Sequence, residues 1–288
     1  MSRQTIPSRL YACSCLLIFA LSFSCSTSNR TPQSKTTLIF LTTFEPFGKW
    51  RVNLTNDVAN KITKIKSQIG ENIQIEICRL PVEYDLAAKK ALQCLSGLPR
   101  NPDLAVTLGE GKCSILLETA ATNIDHTPNF ADNAGIIRTM SPIVPSADRR
   151  IAFTLPVDEM FCSLPSAEKD RVALSVSAGN YVCNNTAFHL IQHFKEKRVP
   201  YGIIHIPHSG CTEDMRDTTK NAHTIAHFLS VALQSNNKNT TVIPASEEQV
   251  VNLLSKRSPH SESTCRTDFL NQLLNKYEEA KKKTALKI

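Results

Sequence analysis

The chain has 288 residues, a formal net charge of +7, 20% charged residues and 41% hydrophobic residues. This composition is typical of a globular protein and excludes a wholly disordered chain. Much of the positive charge lies in the tail, where the segment Lys256–Ile288 holds eight Lys/Arg and four Asp/Glu. Because no nucleic-acid-binding motif accompanies this charge, we expect a solvated basic surface and no nucleic-acid partner.

The amino-terminal segment has the order of a secretory signal. Arg3 and Arg9 precede the apolar run Leu16–Phe23, which is too short to span a membrane. Cys25 follows in a sequence that loosely resembles a bacterial lipoprotein cleavage site, so this cysteine would carry a lipid and the polar segment Ser26–Thr36 would be a tether. An ordinary cleaved signal or an uncleaved anchor is the alternative. The sequence therefore predicts an exported protein, periplasmic or attached to the membrane only through lipid on Cys25, with secretion as the alternative.

Ten cysteines are present, and three of them lie in the leader. The other seven are spaced widely and unevenly: Cys78, Cys94, Cys113, Cys162, Cys183, Cys211 and Cys265. This spacing does not predict a disulfide framework, although an exported protein can pair some of its thiols. The odd number leaves at least one thiol free if all pairing is intramolecular.

Strand-like and helix-like segments alternate through the central part of the chain. The predicted strands are Thr37–Thr43, Ile73–Leu80, Pro102–Leu108, Ser114–Ala120, Ile151–Leu155, Arg171–Val176 and Tyr201–Ile206. The predicted helices are Thr55–Ile65, Asp85–Leu95, Asp158–Leu164, Asn185–Lys197 and Asp217–Gln234. This alternation predicts an α/β layered sheet.

A carboxyl-terminal extension follows the polar linker Ser235–Thr241. Its segment Thr267–Lys283 carries apolar residues on one face, which predicts an amphipathic helix packed on the domain rather than bound to a membrane. The predicted organisation is a leader (1–25), a polar tether (26–36), a central domain (37–234), and a linker with a basic helical extension (235–288).

The stretch Ser177–Asn184 (SAGNYVCN) joins a predicted strand to a predicted helix. Its small residues permit a sharp turn and the close approach of another molecule. Cys183 falls at or near the first turn of the helix, where free backbone N–H groups and the helix dipole favour a thiolate. This context favours an activated nucleophile, with a buried structural cysteine as the alternative.

A thiol nucleophile needs a base and a third group that orients the base. His205 is a polar residue in an apolar run, at the carboxyl end of a predicted strand, where open α/β sheets bind ligands. Glu118 is a carboxylate inside another apolar run, and its burial would cost free energy unless a partner such as an imidazole satisfied it. A glutamate facing water is the alternative.

His205 also belongs to a second pattern. His205, His208 and Cys211 have HxxHxxC spacing, which can bind zinc. A fourth ligand is not evident, and Pro207 disfavours the helix that would align these side chains. We therefore expect no metal and no other cofactor.

Six short segments occur in the order found in one known family. They are Thr43–Gly48 (TFEPFG), Leu80–Val82 (LPV), Glu118–Asn123 (ETAATN), Asp132–Gly135 (DNAG), Ser175–Asn184 (SVSAGNYVCN) and Ile204–Pro207 (IHIP). Together they resemble the type I pyroglutamyl peptidases, also called pyrrolidone-carboxylate peptidases. The resemblance covers roughly Thr37 to Gln234.

This resemblance implies a three-layer α/β/α sandwich with a mixed, largely parallel central sheet. It also implies a cysteine peptidase that removes N-terminal pyroglutamate from peptides. Cys183 would attack and form a thioester acyl-enzyme, His205 would act as base and then acid, and Glu118 would orient His205. A pocket for the flat, neutral lactam would be lined by Phe44, Phe47, Asn53, Tyr181 and Val182.

Several residues depart from the family pattern. Thr43, Glu110 and Thr119 stand where the family has glycine, glutamine and arginine. The family is usually cytosolic and lacks both the leader and the tail. An alternative function is therefore a catalytically impaired relative that acts as an exported peptide-binding or surface interaction protein. The oligomeric state stays open, and a homo-oligomer is compatible with the sequence.

Overall fold

The computed structural model describes residues 35–235, 246–255 and 264–285. The leader with Cys25, nearly all of the predicted tether and most of the linker lie outside these residues. The division into leader, tether, central domain and extension therefore stays a prediction.

The central sheet is mixed and largely parallel. The strands are β1 (Thr37–Phe44), β2 (Ile73–Leu80), β3 (Leu104–Gly111), β4 (Ile115–Glu118), β5 (Ala120–Thr122), β6 (Arg150–Ala152), β7 (Val172–Ser175) and β8 (Tyr201–Pro207). Six of them form one sheet in the order β2–β1–β3–β8–β4–β7, and β5 pairs with β6 separately. In the large sheet only the β4–β8 pair is antiparallel. The predicted α/β fold class is confirmed.

Helices cover both faces of this sheet. They are α1 (Leu54–Lys64), α2 (Leu86–Ser96), α3 (Val157–Cys162), α4 (Val182–Lys197), α5 (Thr218–Ser235), α6 (Glu247–Ser255) and α7 (Thr264–Ala285). Because successive strand residues point to opposite faces, Ile39 joins a core with Val58 of α1 and Ile225 of α5, whereas Phe40 joins a core with Phe188 of α4. Two cores on two faces make the three-layer sandwich.

One predicted strand, Ser114–Ala120, is two strands in the structure. The chain leaves the large sheet at Thr119, whose N–H donates to the carbonyl of Ser175 at 2.9 Å. The following residues pair with β6 instead. The correction matters because it places Glu118 at the carboxyl end of a strand of the large sheet.

Two further strands are longer than predicted. β3 continues through Gly109-Glu110-Gly111, beyond the predicted end at Leu108, and β8 includes Pro207. These residues pair in register, with Gly109 opposite His205 and Gly111 opposite Pro207. His205 therefore lies directly beside Gly109 at the edge of the sheet where these strands end.

The prediction that the cysteines form no disulfide framework was wrong. The structure contains the pairs Cys78–Cys94, Cys113–Cys211 and Cys162–Cys265. Two of these pairs join residues about a hundred positions apart in the sequence, so spacing along the chain could not reveal them. Cys183 is the one cysteine of the described residues that stays free.

The helix predicted in the extension is α7. Phe269, Leu270 and Leu273 are buried against the domain, and the ring of Phe269 lies 6.2 Å from that of Phe161 in α3. The Cys162–Cys265 disulfide joins α3 to the start of α7. Across the three described ranges, every helix is too short or too polar to cross a membrane.

Candidate active site

Helix α4 begins at Val182, so Cys183 is the second residue of its first turn. No side chain caps this helix at Tyr181, and the first N–H groups of a helix have no partners within it. The preceding turn contains Gly179 at φ +84°, a conformation that strains residues with a side chain. Cys183 thus lies where backbone donors and the positive end of the helix dipole converge.

The residue after Cys183 fixes this turn to the neighbouring strand. The Asn184 side chain accepts from the Thr122 N–H at 2.8 Å and donates to the Thr122 carbonyl at 2.8 Å and the Ile124 carbonyl at 3.2 Å. Asn184 is fully buried. These bonds hold the first turn of α4 against β5, which fixes the position of the thiol.

A buried polar network supports the same turn from the other side. Asn185 donates to Asp125 at 2.8 Å, and Arg138 bridges Asp125 at 2.8 Å and Asp85 at 2.6 Å. Burial raises the pKa of Asp125 although Asn185 and Arg138 both favour its charged form. This network anchors the amino end of α4 to the segments that carry Asp85, Asp125 and Arg138.

His205 lies in β8 between the other two predicted catalytic residues. Its Nδ1 atom is 2.8 Å from Oε1 of Glu118, and its Nε2 side lies next to the Cys183 thiol above Gly109. His205 and Glu118 are 6% and 1% exposed, so the alternative of a water-facing glutamate is wrong. Burial alone would lower the pKa of His205, but its interactions with Cys183 and Glu118 outweigh burial and raise that pKa to about 10. These surroundings therefore favour the imidazolium that forms when His205 takes a proton.

Two glycines make this arrangement possible, and sequence analysis did not single them out. A Cβ atom at Gly109 would lie 2.9 Å from Nε2 of His205 and 3.1 Å from Sγ of Cys183. A Cβ atom at Gly111 would lie 2.8 Å from the Cβ of His205. The histidine and the thiol thus meet over the bare backbone of β3, and a larger residue at either glycine would push them apart.

Arg150 lies near Glu118, close enough for a charge interaction. It donates to the Val176 carbonyl and, at 3.2 Å, to the hydroxyl of Tyr277 in α7. Its guanidinium group lies 5.1 Å from the centre of the Tyr277 ring. Burial lowers the pKa of Arg150 in spite of these contacts. A residue of the extension therefore helps to hold a positive charge beside Glu118.

Cys183 and His205 open onto a cavity of about 640 Å³. Of the five predicted pocket residues, Phe44, Phe47, Asn53 and Tyr181 line it. Val182 does not: it is fully buried in the core because the first residue of α4 faces the sheet. The Asn53 side chain caps α1, accepting from Thr55 N–H at 3.1 Å and donating to the Glu45 carbonyl at 3.0 Å.

Aromatic rings surround Tyr181 at one end of this cavity. Its ring lies 6.1 Å from Phe47, 5.2 Å from Phe130 and 5.7 Å from Tyr84. The Tyr181 hydroxyl donates to the Ala131 carbonyl at 3.0 Å, which fixes the ring. Phe130 was not found by sequence analysis because it belongs to a loop without a periodic pattern.

Glu110 also lines the cavity and is 9% exposed. Its Oε1 atom accepts from the Leu54 N–H of α1 at 2.7 Å. Burial raises the pKa of this carboxyl group, and the bond to Leu54 offsets only part of the effect. Burial thus favours the neutral carboxyl group of Glu110 over the carboxylate.

The HxxHxxC spacing does not produce a ligand set. His205 is engaged with Glu118 and Cys183, and the sulfur of Cys211 is bonded to Cys113. His208 packs against the Trp50 ring at 5.4 Å. Cys113, His208 and Cys211 do lie within 4.8 Å of one another, but the disulfide occupies both sulfurs.

The family model described as pyroglutamyl peptidase matches residues 37–230, about two thirds of the chain. The chain belongs to the pyroglutamyl peptidase family. It is therefore a hydrolase of the cysteine omega-peptidase type. The match includes Glu118, Cys183 and His205 but ends before α7.

The chain aligns with relatives in the pyroglutamyl peptidase family over most of the relatives' length. The pyrrolidone-carboxylate peptidase of Aliivibrio fischeri (strain MJ11) is 30% identical over 201 residues, which cover 68% of this chain and 91% of the relative. That of Vibrio vulnificus (strain CMCP6) is 31% identical over 171 residues, covering 59% of this chain and 77% of the relative.

Solved structures of the pyroglutamyl peptidase family share the fold. The pyrrolidone carboxyl peptidase of Thermococcus litoralis superposes with a TM-score of 0.61 at 24% identity. The superposition covers 73% of this chain and 99% of the Thermococcus litoralis chain. Pyroglutamyl peptidase I of Bacillus amyloliquefaciens superposes with a TM-score of 0.59 at 18% identity, covering 69% of this chain and 98% of its own.

Proposed function

We propose that this protein removes N-terminal pyroglutamate from peptides with a catalytic triad of Cys183, His205 and Glu118. The observation that carries the proposal is that His205 hydrogen-bonds to a buried carboxylate and lies next to the one free thiol of the described residues, beside the cavity. This is the arrangement that nucleophilic acyl transfer requires: nucleophile, base and orienting group.

In the first step, the Cys183 sulfur attacks the carbonyl carbon of the pyroglutamyl residue after its proton has passed to His205. Backbone N–H groups at the amino end of α4 are suited to stabilise the oxyanion that forms. The C–N bond then breaks, and His205 gives its proton to the leaving amine. The products of this step are the shortened peptide and a thioester on Cys183.

In the second step, water attacks the thioester. His205 takes a proton from this water, and the C–S bond breaks to release free pyroglutamate. Glu118 keeps the His205 ring in place and stabilises the imidazolium in both steps, which is consistent with the raised pKa of His205. The thiol is regenerated for the next cycle.

The aromatic end of the cavity is suited to the lactam ring. Phe47 and Tyr181 offer flat apolar surfaces to a flat, neutral substrate group. Glu110, whose carboxyl group is favoured in the neutral form by burial, can pair with the polar atoms of the lactam. A free N-terminal amine would be disfavoured in these apolar surroundings because its charge would lose hydration.

The protein is further proposed to act outside the cytoplasm, in the periplasm or attached to the membrane through lipid on Cys25, or after secretion. Three disulfides support export, since such bonds persist in oxidising compartments and are rare in the cytosol. Cys25 itself lies outside the described residues.

Release of fluorophore from pyroglutamyl-aminomethylcoumarin tests this function. The wild type should hydrolyse it, and glutamyl-aminomethylcoumarin, which lacks the lactam, should remain intact. Cys183→Ala should retain the fold by circular dichroism and lose at least about 10⁴-fold in rate, as removal of a nucleophile does. A folded wild type that leaves the pyroglutamyl substrate intact would overturn the proposal.

A further inference from the structure

Helix α7 of the extension reaches the cavity that contains Cys183 and His205. Lys276, Glu279 and Ala280 line this cavity together with residues at the end of β7. The helix is fixed there by its own buried residues, such as Leu273, and by the Cys162–Cys265 disulfide. The extension is thus part of the cavity wall.

The order of strands in the sheet places the cavity wall formed by α7 and β7 on one side of His205. In the sequence of strands β1–β3–β8–β4–β7, His205 lies on the middle strand β8. Phe44 at the end of β1 and Glu110 in β3 lie on one side of it. Ser175 in β7, the strand that α7 contacts, lies on the other side. If the lactam occupies the aromatic side, the part of the peptide that follows the scissile bond extends towards β7 and α7.

We propose that α7 and the end of β7 form the subsite for the leaving part of the peptide, and that this subsite favours an acidic residue directly after the pyroglutamate. The proposal rests on the proposed function. It names a binding role for the extension, which lies outside the residues matched by the family model.

The charges facing this part of the cavity support an acidic ligand. Lys276 and Lys112 line it, and Lys112 belongs to the loop that joins β3 to β4 across the end of β8. Glu279 pairs with Lys276 at 3.1 Å, so these two charges offset each other. The charge of Lys112 remains, and the two lysines and one glutamate therefore carry a net positive charge, which attracts a carboxylate.

Hydroxyl groups at the end of β7 add hydrogen-bonding capacity to the same subsite. Ser175 and Ser177 line the cavity beside α7. The Ser175 hydroxyl donates to the Ser177 carbonyl at 3.1 Å and retains acceptor capacity. This polar lining is suited to a peptide backbone, in contrast to the aromatic lining around Tyr181.

The test compares three tripeptides, pyroglutamyl-Glu-Ala, pyroglutamyl-Ala-Ala and pyroglutamyl-Lys-Ala, as substrates of the full-length protein. The measured quantity is the ratio of kcat/KM between the acidic and the basic substrate. We expect about 5-fold in favour of the acidic one at low salt, falling towards equality at about 1 M salt because such charges are screened. Lys276→Glu should reverse the preference, and the milder Lys276→Gln should give an intermediate ratio.

Lys281→Glu is the matched control, because it makes the same charge change on the same helix at a lysine that pairs with Glu247 and does not line the cavity. Its ratio should stay at the wild-type value. A ratio that Lys276→Glu leaves unchanged, or that Lys281→Glu shifts equally, would overturn the subsite while leaving the proposed function intact. A wild type that also leaves pyroglutamyl-aminomethylcoumarin intact would overturn both.

Discussion

The wall of the cavity that carries Cys183 and His205 lies within the residues matched by the family model, whereas the wall formed by α7 lies outside them. The first wall is positioned by main-chain geometry: the end of β8, the start of α4 and the bare backbone at Gly109. The second wall is positioned by side chains and one disulfide. The difference suggests that the chemistry depends on the first wall and that selectivity is adjusted on the second.

The two walls meet at Glu118. On one side this carboxylate accepts from His205, and on the other it lies near Arg150, which Tyr277 of α7 contacts. Changes in the first wall should therefore reduce the rate strongly, and changes in the second should reduce it weakly. Three variants test this ranking.

The largest effect should follow from Glu118→Gln. Removing the negative charge takes away part of what raises the pKa of His205 to about 10, so this pKa should fall towards its ordinary value. We expect kcat to fall by about 10³-fold. The alkaline limb of the pH profile of kcat should move to lower pH, because His205 must hold a proton to give it to the leaving amine. A limb that stays in place would contradict the role of Glu118.

A smaller effect should follow from Gly109→Ala. The added Cβ atom would meet Nε2 of His205 at 2.9 Å and Sγ of Cys183 at 3.1 Å, which forces the two groups apart. We expect kcat/KM to fall by about 10²-fold, as displacements of about 1 Å do in active sites.

Gly97→Ala is the control for this substitution. Gly97 has φ −83°, and the nearest atom to its added Cβ, the Cys94 carbonyl oxygen, lies at an ordinary 3.4 Å. The kcat/KM of this variant should match the wild type. Equal losses in the two variants would show that the effect at Gly109 comes from general instability rather than from the separation of His205 and Cys183.

The smallest effect should follow from Tyr277→Phe in α7. This variant keeps the ring beside Arg150 and removes the hydroxyl group that accepts from Arg150 at 3.2 Å. The loss of one such bond contributes about 1 kcal/mol, so we expect kcat to fall by about 5-fold with KM for pyroglutamyl-aminomethylcoumarin nearly unchanged. A loss as large as that of Glu118→Gln would remove the proposed distinction between the two walls.

The sequence predicted the α/β layers and the strand–turn–helix around Cys183 because these depend on local periodicity and small residues. His205 and Glu118 could be found because a polar side chain inside an apolar run is conspicuous. That they bond to each other at 2.8 Å depends on the neighbouring positions of β8 and β4 in the sheet, which periodicity does not encode.

The features that sequence analysis missed depend on contacts between distant parts of the chain. Gly109 lies beyond the predicted end of its strand, and its role follows from the register of β3 with β8. The Cys162–Cys265 disulfide and the approach of Lys276 to the cavity depend on how α7 packs. An amphipathic pattern predicts that a helix buries one face, but it does not predict which surface of the domain that face contacts. The family resemblance predicts Val182 in the pocket, but its side chain at the start of α4 is buried in the core.

Alkylation of the folded, full-length protein with iodoacetamide at neutral pH, without reductant, tests the central claim most directly. Peptide mapping locates the label while hydrolysis of pyroglutamyl-aminomethylcoumarin is followed in parallel. We predict that Cys183 is labelled, that the six cysteines in disulfides are not, and that activity falls in step with the labelling of Cys183. Complete labelling of Cys183 with undiminished hydrolysis would contradict its role as the nucleophile.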